Sequence, residues 1–405
     1  MRILMLTASL PYPPQQGGAL RSYGILHGLA AAGHEVSLLS FHEPNGSIAD
    51  TPLAKYCSRI ETLPPPGRSK SSRLRDLALT GQPDIARRLY SRAFLDRLAQ
   101  MVRETAYDLI QFEGIEIAPY LLPLRKLGTK ARLIYDAFNA EAALQYAIFQ
   151  VDRANPRRWP AAAYSFIQSR RIERFERALC AAADAVIAVS DEDARILCRF
   201  RPDGRVPVVN NGIFVSDYET PGAELDLGEH VLVFTGKMDY RPNVDAMDWF
   251  AESVLPDIQK AVPDTRLYIV GQKPHPRLER LRHKHHIEIT GWVKDVQPFL
   301  HSADVYVAPL RMGSGTRLKI LEAMAAGRAV VATTVAISGM HPAVHDATLV
   351  ADQPERMSEA VVRLLGDPAR RAELGERARA YVRQYYDWSA LIPRLLAAYK
   401  ELGLG

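Results

Sequence analysis

Short apolar runs alternate with helix-period segments along most of the chain. Residues 2–9 (RILMLTAS) are apolar and closed by turn chemistry, the pattern of a parallel strand buried on both faces. A loop rich in proline and glycine follows. Residues 19–32 then place Leu20, Tyr23, Leu26, Leu29 and Ala30 near one helical face, before Gly33 and His34 end the helix and EVSLLS resumes as strand. Further strands are expected at 107–114 (YDLIQFEG) and 131–143 (ARLIYDAFNAEAA). A long arginine-rich helix spans 159–183, and DAVIAVS runs into Ser190 and Asp191, which cap the next helix. The stretch 47–103 reads as helical and basic after the rigid PPPG at 64–67. A second series of strands opens with VLVFTG at 231–236 and TRLYIVG at 265–271, and continues to DVYVAPL at 304–310. Helices over 354–365, 368–385 and 388–403 close it. Two successive runs of this kind predict an α/β chain with two doubly wound domains facing a cleft.

With 405 residues the chain can bury two separate cores. Its three cysteines, Cys57, Cys180 and Cys198, form no C-x-x-C pair, which argues for a reducing, cytoplasmic compartment and against a disulfide framework. MRILMLTASL reads as a first strand, with no signal peptide, and no run approaches the twenty apolar residues of a membrane span. Residues 1–210 hold 28 Lys and Arg against 21 Asp and Glu, so the basic excess belongs to the N-terminal half. Much of it lies in 64–103, where Arg68, Lys70, Arg73, Arg75, Arg87, Arg88, Arg92, Arg97 and Arg103 face only Asp76, Asp84 and Asp96 in sequence. That balance suits either an anionic membrane surface or an ordinary solvated helical face.

The most informative stretch is 308–334 (APLRMGSGTRLKILEAMAAGRAVVATT), read as strand, glycine turn, helix of about three turns and strand. Gly313, Ser314, Gly315 and Thr316 open that helix. Its first N–H groups lack internal partners and favour an anion, while the glycines let a ligand approach the backbone. Gly315, Lys319, Glu322 and Ala326 share a helical face, so a cation and a carboxylate stand together above the turn. Phosphate below and hydroxyls above would hold a sugar nucleotide. Gly236 and Lys237 end the 231–236 strand in a similar turn, with Arg241 near the next helix start. Past the ends of the N-terminal strands, Glu113, Asp136 and Asn139 are cleft candidates, because ligands of open α/β sheets collect there. The histidines at 275, 283, 285, 286 and 301 are irregularly spaced and lack an ordered carboxylate partner, so they are read as a solvated helix end and no metal site is expected.

The GSG turn, KILEAMAAG and AVVAT resemble the donor-site signature of the group 1 glycosyltransferases, also called glycosyltransferase family 4, with Ala329 where the signature usually has proline. The resemblance implies the two-domain, Rossmann-like GT-B architecture. It sets an acceptor-side domain over 1–212, a donor domain over 213–385, and a helix over 386–405 crossing back to the first domain. It gives Glu322 the ribose hydroxyls of the donor nucleotide and Lys237 its phosphates. Gly17 and Gly18 would lie over the diphosphate, with Arg21 a weaker candidate facing the acceptor. Three positions depart from the family pattern. Ser314 stands where many members carry an acidic residue touching the sugar, which leaves the backbone of Ser314 and Gly315 to recognise it. Asn243 stands at a second basic position, so Arg241, Arg317 or Lys319 would supply that charge. Phe138 replaces a frequent histidine, which passes acceptor-side proton handling to Asp136 or Glu113.

The implied reaction is retaining, metal-independent transfer of a sugar from a nucleotide diphosphate to a hydroxyl, the leaving diphosphate taking the acceptor's proton. No cofactor and no nucleic-acid partner are expected; the acceptor is a glycan, a lipid-linked glycan or a small molecule, as in exopolysaccharide or lipid-linked glycan assembly. A nucleotide-sugar epimerase and a non-catalytic sugar-nucleotide or membrane-binding module are the alternatives.

Overall fold

A computed structural model describes residues 1–14, 17–43, 48, 51–69, 75–76, 79–153, 156–220, 225–313 and 316–404. The chain divides into one unit of Met1–Asn211 with Leu391–Gly405 and a second of Gly212–Ala390.

The first unit is built on six parallel strands: β1 (Arg2–Thr7), β2 (Glu35–Phe41), β3 (Cys57–Leu63), β4 (Leu109–Glu113), β5 (Arg132–Ala137) and β6 (Ala185–Ala188). They are ordered β3-β2-β1-β4-β5-β6. The chain winds outward from β1 in one direction and from β4 in the other, so the crevice beyond these two strands is the place such a sheet offers a ligand. The principal helices are α1 (Gly17–Ala31), α2 (Arg92–Glu104), α3 (Glu141–Arg153) and α4 (Trp159–Ala182). α2 starts where the Ser91 hydroxyl accepts from the Phe94 N–H, and it buries Phe94, Leu95, Leu98 and Met101 along one stripe.

In the region 47–103, residues after the PPPG form helices at Asp84–Arg88 and in α2, whereas the part before it contributes β3 as an edge strand, which was not expected. CSRIETL alternates too weakly to show as a strand by itself, and pairing of Ile60 and Thr62 with Leu38 and Ser40 decides it. The basic side chains there have more acidic neighbours than their own sequence supplies. Arg97 pairs with Glu61 and Arg88 with Glu116, while Arg68 meets both Asp76 and Asp84. Lys70 and Arg73 lie outside the described residues.

The second unit repeats the plan with β7 (Val231–Thr235), β8 (Arg266–Val270), β9 (Ile287–Gly291), β10 (Val305–Ala308), β11 (Ala329–Ala332) and β12 (Leu349–Val350), ordered β12-β11-β10-β7-β8-β9. Its reversal falls between β7 and β10. The helices that matter are α5 (Arg241–Ser253), α6 (Leu318–Ala325), α7 (Pro354–Leu365) and α8 (Pro368–Tyr385). α6 is shorter than the three turns expected, because Arg317 at its start is not helical (φ −89°, ψ 85°). The last helix, α9 (Trp388–Lys400), joins the first unit from Leu391 onward, and there the Tyr399 hydroxyl donates to the Gln111 side chain inside the core. Among the described residues no helix is long and apolar enough to cross a membrane.

Candidate active site

In the second unit, the loops leaving β7 and β10 meet at the reversal point of the sheet. Gly236 ends β7 with φ 150°, and a Cβ there would lie 2.7 Å from both the Lys319 Nζ and the Asn243 Nδ2. Only glycine leaves room for that lysine. Lys319, in the first turn of α6, donates to the Asn243 Oδ1 at 2.6 Å and sits 4.5 Å above the centre of the Phe234 ring. Asn243 is itself held by donating to the Lys237 carbonyl at 2.9 Å. Asn243, at the family's second basic position, therefore orients the lysine of another element.

Burial lowers the Lys319 ammonium to about 7; the Glu322 carboxylate opposes the shift and Arg317 adds to it. One turn on, burial raises the Glu322 carboxyl, while the Tyr218 hydroxyl donating to it and the Lys319 charge hold it down. A partly dehydrated ammonium and carboxylate thus stand together, with a neutral amide as the nearest fixed partner of the ammonium. Arg317 is half-buried at the start of α6 and its guanidinium is shifted down by burial. Gly313 and Thr316 flank the turn, whereas Ser314 and Gly315 lie outside the described residues. Lys237 is exposed, 3.8 Å from Asp239, and exposed Arg241 opens α5.

The first unit arranges its charges differently. The register of β4 and β5 sets Glu113 directly beside Asp136 at the strand ends. Both Asp136 oxygens accept from Arg21, whose Nε and Nη2 lie 2.6 Å away, and the Arg21 Nη1 donates to the Val209 carbonyl at 2.7 Å and the Asn211 side chain at 3.3 Å. Arg21 is 1 % exposed and Asp136 0 %. This geometry departs from the sequence expectation of a catalytic Asp136 and an acceptor-facing Arg21, because each charge is enclosed and taken up by the other. Glu113 accepts from the Ser22 hydroxyl at 2.9 Å and from the Gln111 amide at 2.6 Å. Burial, helped by the Asp136 charge and opposed by Arg21, pushes its carboxyl up to about 8.

Glu113 also lines a pocket of about 380 Å³ together with Thr7, Ser9, Tyr12, Gly18 and Phe138. A Cβ on Gly18 would fall 2.9 Å from the Phe138 ring and one on Gly114 3.1 Å, so both glycines make room for this aromatic. Gly17 begins α1 with open space where a side chain would be. Asn139 is exposed and donates to the Glu141 carboxylate at 3.0 Å. Sequence reasoning missed Ser22, Gln111 and Tyr218. Gln111, two positions before Glu113 in a strand, shares its face and could have been found by period-two spacing; nothing local marks Tyr218.

The whole-chain fold and both halves of the sequence have known counterparts. A model described as "Glycosyl transferase 4-like domain" matches residues 16–212, and one described as "Glycosyl transferases group 1" matches 229–367. A phosphatidyl-myo-inositol mannosyltransferase of Propionibacterium freudenreichii is 30 % identical over 231 residues, an alignment covering 54 % of this chain and 57 % of that protein. The chain thus spans little more than half the length of that relative. A sucrose-phosphate synthase from Thermosynechococcus elongatus superposes with a TM-score of 0.68 at 17 % identity, covering 100 % of this chain and 99 % of that one. The Anabaena protein HepE, solved with UDP and glucose, gives 0.61 at 14 % identity over 99 % and 100 %. The two matching models together take in most of the chain, one on each doubly wound sheet, and the chain belongs to the group 1 glycosyltransferases with the two-domain GT-B fold.

Proposed function

We propose that the protein transfers a hexose from a nucleoside diphosphate donor to a hydroxyl acceptor, with retention of anomeric configuration and without a metal ion. The observation that carries this reading is the dehydrated Lys319 and Glu322 pair above the β10–α6 turn, at the reversal point of the second sheet. A lysine held near neutrality by burial gains its full charge when an anion arrives, and a diphosphate is such an anion. Lys319 and Arg317 neutralise the diphosphate, Lys237 and Arg241 approach it from the β7 loop, and Gly236, Gly313 and Thr316 keep backbone close to it. Ser314 and Gly315 keep their proposed part in sugar recognition. Glu322 accepts from the ribose hydroxyls. The bond from the anomeric carbon to the diphosphate oxygen breaks, a bond to the acceptor oxygen forms, and the acceptor proton passes to the leaving diphosphate. The mannosyltransferase named among the relatives supports a hexose, and UDP in the Anabaena structure supports a nucleoside diphosphate.

On the acceptor side, Glu113 in its pocket is the contact group. Asp136 acts through Arg21 as a positioning pair beneath Val209 and Asn211. The acceptor is a glycan, lipid-linked glycan or small hydroxyl compound.

A thermal-shift screen against UDP-, GDP-, ADP- and dTDP-sugars tests the donor site, since a ligand of the folded state raises the melting temperature. One nucleotide is expected to give a shift that Glu322→Ala and Lys237→Ala lose. Transfer should then persist in excess chelator, and NMR of the product should show the donor's anomeric configuration. A metal-reversible loss would defeat the metal-free reading, and binding without transfer or hydrolysis would favour a non-catalytic module.

A further inference from the structure

Outside the two ligand-facing crevices, the surface with the least ordinary chemistry is the outer side of the α3–α4 hairpin. Of eleven large hydrophobic side chains exposed among the described residues, six lie on this hairpin: Tyr146 on α3 with Trp159, Phe166 and Ile167 on α4, and Leu144 and Ile148 on the side of α3 away from Tyr146. Such clustering marks an interaction surface. The hairpin does not need these side chains for its own core, since α4 turns Ala162, Ser165, Ile172, Phe175 and Leu179 inward. The aromatics form one strip across both helices: ring centroids of Tyr146 and Phe149 are 5.6 Å apart, and those of Phe149 and Phe166 5.1 Å.

The outer face of α4 is also graded along its axis. Trp159, Ala163, Phe166 and Ile167 occupy its first half, and exposed Arg170, Arg174 and Arg177 the half that follows. At 1.5 Å per residue, Phe166 and Arg177 are separated by about 16 Å. Arg170 lies over the Phe166 ring and Arg153 over Phe149. Arg170, Arg177 and Arg199 line a groove of about 370 Å³ with one carboxylate, Glu173, which pairs with Arg170 at 3.4 Å and Arg177 at 3.3 Å and so offsets one of their charges. The other acids of the hairpin have partners: buried Glu176 accepts from the N–H groups of Glu141 and Ala142, Asp152 pairs with Arg158, and Glu141 accepts from Asn139.

We infer that the outer face of the α3–α4 hairpin docks on an anionic lipid bilayer, its aromatic half entering the headgroup region and its arginines meeting lipid phosphates. Apolar and aromatic side chains beside a basic row are the composition of a helix that lies in a membrane interface. A second copy of the chain in parallel two-fold contact would set arginine rows against each other, whereas anionic headgroups complement the row in any orientation of the face. The inference goes beyond the transfer reaction and does not depend on it. It also places the membrane surface on this hairpin and not on 64–103, where Arg68, Arg88 and Arg97 meet carboxylates of the same unit.

Flotation of the full chain with vesicles tests it. Binding is expected to equal mixtures of phosphatidylglycerol and phosphatidylcholine, not to phosphatidylcholine alone, and to fade at high salt. Each arginine near an anionic surface contributes about fivefold, so R170Q/R174Q/R177Q should weaken binding about a hundredfold. Trp159→Ser with Phe166→Ser should also weaken it, with melting temperature and thermal shift by the donor unchanged in both variants. Brominated lipid should quench tryptophan fluorescence in the wild type and less in Trp159→Phe. Equal binding of the arginine variant and the wild type would overturn the inference, as would absence of binding to either vesicle. A stable dimer that Ile167→Asp turns into monomer, with no vesicle binding, would assign the face to a second copy.

Discussion

The two sheets present charge at the same topological place and treat it in opposite ways. At the β1/β4 reversal, Arg21 and Asp136 satisfy each other through two 2.6 Å hydrogen bonds and are sealed from solvent. At the β7/β10 reversal, Lys319 has an amide oxygen at 2.6 Å and a carboxylate one turn away, and burial depresses its pKa to about 7. The first arrangement is complete without a ligand and serves as structure. In the second, the ammonium is hydrogen-bonded to a neutral amide, and the proposed donor diphosphate would complete its compensation. On this proposal, the buried charge whose compensation within the chain is incomplete meets the ligand, and the completed pair is a strut.

The sharpest way to break this comparison is to remove one partner of the completed pair. Arg21→Met strands the Asp136 carboxylate and should cost about 3–5 kcal/mol in urea unfolding, while Arg21→Met with Asp136→Leu should recover much of that loss. A smaller effect is expected from Lys319→Met, which removes a costly buried charge and should raise the urea midpoint at neutral pH, and from Glu322→Gln, which should leave it near wild type; each should weaken donor binding by about tenfold to a hundredfold, some 1.4–2.8 kcal/mol in calorimetry. Wild-type donor affinity should also fall above pH 7, by up to about tenfold per pH unit, because the diphosphate binds the charged lysine.

The two regions should contribute pH slopes of opposite sign to stability. The Glu113 carboxyl titrates at about 8 in the folded chain against 4.5 ordinarily, so folding retains a proton that the unfolded chain has lost. Its contribution is fully present below the ordinary value and disappears as pH rises to about 8. Lys319 titrates at about 7 against 10.5, so above 7 the folded chain has released a proton that the unfolded chain keeps, and stability rises with pH in that window. Glu113→Gln should flatten the first slope and Lys319→Met the second in melting temperatures taken from about pH 5 to pH 9. Smallest of all, Asn139→Ala removes an exposed contact and should change stability by less than about 0.5 kcal/mol.

The strands were legible because each core strand is a short apolar run buried on both faces, as RILMLT and VLVFT are. β3 was not, since CSRIETL is half polar and becomes a strand only by pairing with β2. A helix carrying Lys319 and Glu322 followed from spacing, and it stands in the folded chain over Leu318–Ala325, shorter than the three turns expected. The part played by Asn243 was visible only as a departure from the family pattern, because its partner Lys319 is 76 residues away.

What the sequence by itself determined was the periodicity of the elements, the glycine turns and the signature from 308 to 334, since each depends on residues within a few positions of one another. Which charges are spent and which are available was decided by tertiary structure. The pairing of Arg21 with Asp136 spans 115 residues and the contact of Lys319 with Asn243 spans 76. Desolvation, which raises Glu113 and lowers Lys319, depends on everything packed around a group and not on its neighbours in the chain.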